Sequence, residues 1–395
     1  PPPMTNPAQP RLLLDISVLV QTDRRTGIER VTRALLGQFH AEPPPGHDVQ
    51  AIYHDGVAYR CADHWCATHL GWPPPTGPDP VVCPARGDRL LALELNPGLV
   101  PRTRRLLEHW RARGVELHFI VFDLLPVQRP DWFLPQVHTH FLPWLHTLIA
   151  VADGLWAISN SVAEDLRAYV QTQAPERQSA PRIGHFHLGA DLAASLPTNG
   201  LPPEAESILA TLRARATLLS VATIEPRKGH AQTLAACERL WAGGHDFNLV
   251  FVGKQGWLVD TLAERLRRHP ESGRRFFWLP GISDTYLEAV YAASRGLLAV
   301  SEGEGFGLPL IEAARHQLPI LARDLPVFRE VAGQQATWFA GTAPEDLAHA
   351  IAAWLPKLAE GTAIPSTQRP WMTWEASARQ LWRALGHGAA TSPRP

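Results

Sequence analysis

Short apolar runs rich in Val, Ile, Leu and Phe alternate with stretches of helical spacing along almost the whole of this 395-residue chain. A run without polar alternation suits a strand buried on both faces, and strands separated by helices return to the same sheet in parallel. The pattern predicts parallel sheets with helices on both sides. In the first half, strands are expected at Arg11 to Ser17, Asp88 to Leu95, Val115 to Asp123, Gly154 to Ser159 and Arg182 to Leu188. Helices are expected from Gly27 to Phe39, from Thr139 to Val151 and from Ser161, where Ser161 and Glu164 have capping-box spacing. The segment Leu192 to Glu206 breaks both patterns with Pro197, Asn199, Gly200, Pro202 and Pro203 and reads as a linker. The rhythm then restarts, with strands expected at Thr217 to Ile224, Asn248 to Gly253, Arg275 to Leu279, Gly296 to Ser301 and Pro319 to Arg323. A last helix, Trp371 to Leu385, carries Trp374, Ala378, Leu381 and Leu385 on one stripe. A chain this long exceeds one ordinary core, so the reading is two α/β domains, residues 1–200 and 201–370, with a closing helix over 371–388 and a cleft between the lobes. The tail after Gly386 is expected to fray.

Composition removes several function classes. A formal net charge of -1 provides no broad basic face to displace counterions from nucleic acid. The longest apolar runs, such as Phe119-Ile120-Val121-Phe122, fall far short of the roughly 20 residues that a spanning helix needs. Pro1-Pro2-Pro3 before Met4 reads as a cloning scar rather than a secretory leader. Cys61, Cys66, Cys83 and Cys237 are few and scattered, which suits a reducing compartment, and Cys61 to Cys66 matches no standard zinc spacing. A cytoplasmic protein is expected. Arg102, Arg104, Arg105, Arg111 and Arg113 around Leu106, Leu107 and Trp110 are compatible with a basic amphipathic helix at the inner face of a membrane, and equally with a solvated surface helix.

Chemistry concentrates in the second half. In Ser301-Glu302-Gly303-Glu304-Gly305-Phe306-Gly307-Leu308-Pro309-Leu310-Ile311-Glu312, two carboxylates bracket a glycine-rich turn that runs into a helix. Glycines let backbone N–H groups approach a ligand, the helix opening near Pro309 turns its positive end the same way, and carboxylates accept from polyol hydroxyls. Upstream, Thr223-Ile224-Glu225-Pro226-Arg227-Lys228-Gly229-His230 follows the first strand of the second sheet. Arg227 and Lys228 there suit a diphosphate, since ligands of open α/β sheets bind beyond the carboxyl ends of strands. Gly281-Ile282-Ser283-Asp284 is read either as a nucleobase contact or as a plain helix cap at Ser283, and Lys254 as a marginal pocket candidate. In the first half, Gly27 permits close approach to phosphate. Asp123, at a strand end, either meets an acceptor hydroxyl or caps the following turn. Asp-x-Asp, Walker and Gly-x-Ser-x-Gly patterns do not occur.

These strings together resemble the retaining glycosyltransferases of family 4, with the GT-B fold of two facing Rossmann-like domains. The similarity is densest from about Leu218 to Gly333, in TIEPRKGH, FVGKQGW, GISDTYLEAVYAAS, SEGEGFGLPLIEA and PVFREVAG, and weaker in TGIERVTR, FDLLPVQRPDWF, DGLWAISNSVAEDL and HLGAD. Several N-terminal strings are most similar to bacterial polysaccharide mannosyltransferases. The resemblance implies that Glu312 binds the donor ribose and that Glu304 binds the donor sugar, helped by backbone N–H groups of Phe306, Gly307 and Leu308. It implies that Arg227 and Lys228 hold the diphosphate and that no metal or cofactor is needed. Thr223, Ser283 and Gly27 are further candidate donor contacts, and Asp123 a candidate at the acceptor. The implied reaction moves a hexose, best matched by mannose from GDP-mannose, onto a glycan or lipid-linked oligosaccharide. Alternatives are a UDP- or dTDP-sugar donor, a nucleotide-sugar epimerase or hydrolase, and a sugar-nucleotide or glycan-binding scaffold. The family's usual His beside the FDLLP position is Phe122 here, which leaves His118, His185 and His187 as candidates for that contact.

Overall fold

The computed structural model of the chain describes residues 9–23, 26–173, 180–191, 195, 197–366 and 371–386. The opening Pro1-Pro2-Pro3-Met4, part of the expected linker and the tail after Gly386 lie outside the described residues. The first sheet is built from β1 (Arg11–Asp15), β2 (Asp48–His54), β3 (Tyr59–Cys61), β4 (Arg89–Ala92), β5 (Glu116–Val121), β6 (Gly154–Ala157) and β7 (Arg182–His185). Its order is β3-β2-β1-β4-β5-β6-β7, parallel except for the β2–β3 pair. The second contains β8 (Thr217–Val221), β9 (Asn248–Val252), β10 (Phe276–Leu279), β11 (Gly296–Ala299), β12 (Ile320–Arg323) and β13 (Thr337–Phe339), in the order β10-β9-β8-β11-β12-β13 and wholly parallel.

Every strand expected from an apolar run is present, but the runs continue past the ladders. Residues such as Asp123 belong to the loops beyond the carboxyl ends. β2, β3 and β13 are additions. β2 mixes polar with apolar residues, and the other two are three-residue edge strands too short to show a pattern. A short helix, Ser17–Gln21, separates β1 from the Gly27 loop, which sequence reasoning ran together. The expected Ser161–Glu164 capping box is replaced by Ser159, whose Oγ accepts from the Val162 N–H at 3.2 Å, while Ser161 Oγ donates to Glu330 of the other domain at 2.8 Å.

In each sheet the chain runs outward from a central strand and then returns to lay the next strand on the opposite side. The reversal falls between β1 and β4 in one sheet and between β8 and β11 in the other. At such a reversal the connecting loops part and leave a crevice outside the carboxyl ends of the strands. The last helix, Trp374–Gly386, returns to the first domain. There the Trp374 N–H donates to Asp191 at 2.7 Å, Ser377 Oγ donates to the His187 carbonyl at 2.6 Å, and Arg379 pairs with Glu42. Helix Val100–Ala112 buries Val100, Leu107 and Trp110 and exposes Arg102, Arg104, Arg105 and Arg113. Among the described residues, no helix is long and apolar enough to cross a membrane.

Candidate active site in the interdomain cleft

The two chemically dense loops leave β8 and β11, the neighbouring strands at the reversal point of the second sheet. After β8 the chain makes one 3-10 turn, Pro226–Lys228, and enters helix His230–Ala242 through Gly229 at φ +71°. Only glycine serves there. The backbone is left-handed, and a Cβ would sit 2.6 Å from the Val300 carbonyl oxygen. This close approach presses the Arg-Lys turn against the end of β11, where the Glu302 N–H donates to the Arg227 carbonyl at 2.7 Å.

Glu304 is the centre of the resulting cluster. Its carboxylate accepts from Lys228 Nζ at 2.6 Å, Arg227 Nη1 at 3.1 Å and Ser301 Oγ at 2.7 Å. Burial pushes this acid upward, but Lys228 and Arg227 outweigh the effect and hold it at about 2. Burial dominates at its neighbours Asp123 and Glu225, and both are raised above the ordinary carboxylate range. The cleft thus keeps one firmly ionised carboxylate between two cations and beside two acids that are harder to ionise. The neighbouring His230 packs edge-on against Phe251, and burial holds it down at about 3.

Glu312 lies on helix Leu308–Arg315, which opens from Gly307 at φ +98°. Its Oε1 accepts from Arg30 Nη1 of the first domain at 2.6 Å and its Oε2 from the Tyr291 hydroxyl at 2.6 Å. Arg30 Nη2 also reaches Asp284 at 2.9 Å, and Asp284 in turn accepts from Thr198 N and Oγ1. A Cβ placed on Gly27 would stand 3.7 Å from Leu308 Cδ1. The amino ends of helices Gly27–Ala41 and Leu308–Arg315 therefore meet across the cleft.

The geometry brings Glu304, Arg227, Lys228 and Asp123 together and seats Gly27 against Leu308. It changes the account of the glycine turn. A Cβ on Gly303 would lie 2.6 Å from the Trp132 ring, and one on Gly305 would lie 2.0 Å from the Phe122 carbonyl oxygen. Those two glycines are required by the first domain pressing on the turn, whereas sequence reasoning assigned their smallness to a ligand. Gly307 has its Cβ direction filled by the Phe328 ring, and Phe306 packs edge-on against His187.

Of the two readings of Ser283, the cap is the one its side chain adopts. Oγ accepts from the Tyr286 N–H at 3.0 Å and donates to the Gly200 carbonyl. Thr223 follows β8 with its methyl facing the Gly256 backbone, and Lys254 runs past Gly281. His118 is fully buried between Glu116 and Trp156 and does not reach the cleft. His187 does reach the domain junction, where it bonds Glu330 at 2.7 Å. His185, His187 and Glu330 also form a group that could hold a metal ion, their candidate ligand atoms lying within 4.8 Å of one another. Both Glu330 oxygens already accept from His187, Asn160 and Ser161. Sequence reasoning did not single out Arg30, Tyr291, Asp284, Glu225 or Glu330. All five sit inside the quoted strings, but except for Glu225, which pairs with Arg227 two residues on, their partners lie on other elements.

Glu330 matches Glu304 in being held at about 2. Burial opposes ionisation there, and the His187 bond with the Asn160 and Ser161 N–H groups overrides it. Both folded-state values lie below the ordinary 4.5. Their stabilisation is therefore complete above that value and drains away as pH falls through the interval down to about 2. Acid titration followed by small-angle scattering and melting temperature should show the domains loosening in this window, and Glu330→Gln should blunt the effect.

The geometry places a glycine-rich turn, two cations and a helix amino end at the reversal point of the second sheet, and that domain matches a known family model. Residues 207–358 match the model described as Glycosyl transferases group 1. These residues are similar to the group 1 glycosyl transferases. The chain is 44% identical over 379 residues to an Escherichia coli protein named serotype-specific mannosyltransferase WbdA, covering 95% of this chain and 45% of that one. It thus spans just under half the length of that relative. An Escherichia coli O-antigen chain mannosyltransferase B is 32% identical over 116 residues, or 29% of this chain and 30% of that relative. Among solved structures, Anabaena HepE in complex with UDP-glucose superposes with a TM-score of 0.64 at 15% identity, covering 95% of this chain and 99% of that one. Sucrose-phosphate synthase from Thermosynechococcus elongatus superposes at 0.64 with 16% identity, covering 96% and 100%. Residues 207–358 thus sit in a two-domain GT-B fold.

Proposed function

We propose that the chain is a retaining, metal-independent glycosyltransferase of family 4 that transfers mannose from GDP-mannose to a glycan or lipid-linked oligosaccharide in polysaccharide biosynthesis. The observation that carries the reading is Glu304 held between Lys228 and Arg227 where two helix amino ends converge. The mannosyltransferase names of the relatives supply the sugar.

In this mechanism the donor diphosphate lies between Arg227, Lys228 and the amino end of helix Leu308–Arg315, which stabilise the charge that grows as the anomeric C–O bond breaks. Glu304 then exchanges its cation partners for a hydroxyl of the donor sugar and fixes the ring. The acceptor oxygen attacks the same face that the phosphate leaves, and its proton passes to the departing phosphate oxygen. The new glycosidic bond keeps the anomeric configuration. Asp123, raised by burial and placed on the first domain, meets the acceptor hydroxyl. Protein cations neutralise the leaving group, so the proposal needs no metal. Glu312 receives the ribose diol, which requires it to change partners.

Thermal-shift and calorimetric titration with GDP, UDP, ADP and dTDP in EDTA tests the reading. Stabilisation by GDP alone is the expected result, since a ligand of the folded state must raise its melting temperature. Selectivity for UDP or dTDP would replace the donor, and binding of none would remove the donor site.

A further inference from the structure

The buried end of helix Leu308–Arg315 poses a problem for any donor. Each oxygen of Glu312 accepts one bond, from Arg30 or Tyr291, and keeps a second lone pair, but at 3% exposure the side chain offers no open face to a ribose diol until a neighbour moves. Tyr291 is fully buried, belongs to the same domain and is stacked on His316 with ring centroids 5.0 Å apart. The Arg30 side chain is 20% exposed and comes from the other domain. It is the more accessible of the two partners.

The position of Arg30 fixes where it can go. It lies one helical turn after Gly27 and so shares that face of the helix, with Gly27 itself against Leu308. Its second nitrogen is anchored on Asp284, which Thr198 of the interdomain segment holds in place. Anchored on Asp284 and one turn from the Gly27–Leu308 contact, the guanidinium stands next to the two helix amino ends, where a diphosphate would supply a counter-charge.

We propose that Arg30 is a donor-exchanged positioning residue. It bridges Glu312 and Asp284, yields Glu312 to the ribose and transfers one nitrogen to the diphosphate. Arg30 thereby becomes a third cation on the leaving group, supplied by the acceptor-side domain. The inference rests on the donor-site reading above and goes beyond it. The exchange gives the two parts of a nucleotide opposite dependence on Arg30, because the nucleoside competes with it and the diphosphate recruits it.

The test measures guanosine and GDP affinity by calorimetry for the wild type, Arg30→Gln and Arg30→Lys, with uridine and UDP substituted if the nucleotide panel selects UDP. Arg30→Gln should bind guanosine about threefold to tenfold tighter and GDP about tenfold weaker. Arg30→Lys, whose single ammonium lacks the planar fork that places separate nitrogens on Glu312 and Asp284, should keep the nucleoside gain and recover most of the GDP affinity. Shifts of the same sign for nucleoside and diphosphate in Arg30→Gln, or no shift in either, would overturn the exchange. Failure of the wild type to bind any diphosphate would instead strike the donor-site reading. Arg30→Lys retains the charge, so a general loosening of Arg30→Gln is distinguished by its affecting both ligands and being rescued for both.

Discussion

Glu304→Gln is expected to lower mannose transfer from GDP-mannose by about 100-fold to 1,000-fold while leaving GDP affinity undiminished. The substitution preserves the shape of the side chain and one accepting oxygen but removes the charge facing Lys228 and Arg227. Those cations then lose the carboxylate they share while Arg227 keeps only Glu225, a change that typically costs about 3 kcal/mol or more. The variant should therefore melt lower than the wild type in the absence of ligand, and GDP should raise its melting temperature by a larger increment because the diphosphate restores the missing negative charge. Radiolabelled transfer and paired melting curves read the two effects separately. Unchanged transfer would remove Glu304 from the reaction, and weaker GDP binding would mean that it does not compete with phosphate for the two cations.

Gly305→Ala is expected to abolish the closed arrangement of the domains without unfolding either. A methyl at this position would stand 2.0 Å from the Phe122 carbonyl oxygen, and the obstacle is backbone that no rotamer change can move aside. The same residue's carbonyl accepts from Ser159 Oγ at 2.7 Å, so the turn and the first domain share one seat. Gly305 is not among the residues with left-handed backbone, which confines the effect to steric exclusion. Circular dichroism should remain that of a folded α/β protein, the radius of gyration should rise, and transfer should drop by at least an order of magnitude because Asp123 and Glu304 no longer share a cleft. An alanine variant with wild-type scattering and transfer would show that the domains work apart.

Nucleotide selectivity, the Arg30 exchange and the acid window address three layers of the same cleft. They concern what the second domain binds, how the first domain takes part, and which ionised carboxylate keeps the two together. Glu330 belongs to the last layer. It accepts from Asn160 and Ser161 at the start of helix Asn160–Gln173 and from His187 on the segment after β7. It thus ties the second domain to two elements of the first.

The amino-acid sequence by itself determined most of the elements, their class and the residue types that the candidate site gathers. Unbroken apolar runs such as Leu249-Val250-Phe251-Val252 suit strands covered on both faces, and helices between them impose parallel pairing. The strings around Arg227 and Glu304 are local in sequence, so their charges and glycines were readable, and topology carries both to the ends of adjacent strands. The tertiary structure decided the partners. Arg30 and Glu312 are 282 positions apart, Phe122 meets Gly305 from another domain, and Glu330 caps a helix that begins 170 residues earlier. Periodicity and capping patterns extend over a few residues, so they reveal that Gly305 is small and that Glu312 is acidic. Which surface requires the smallness, and which cation holds the acid until a ligand arrives, is fixed only when two separately folded sheets close on one another.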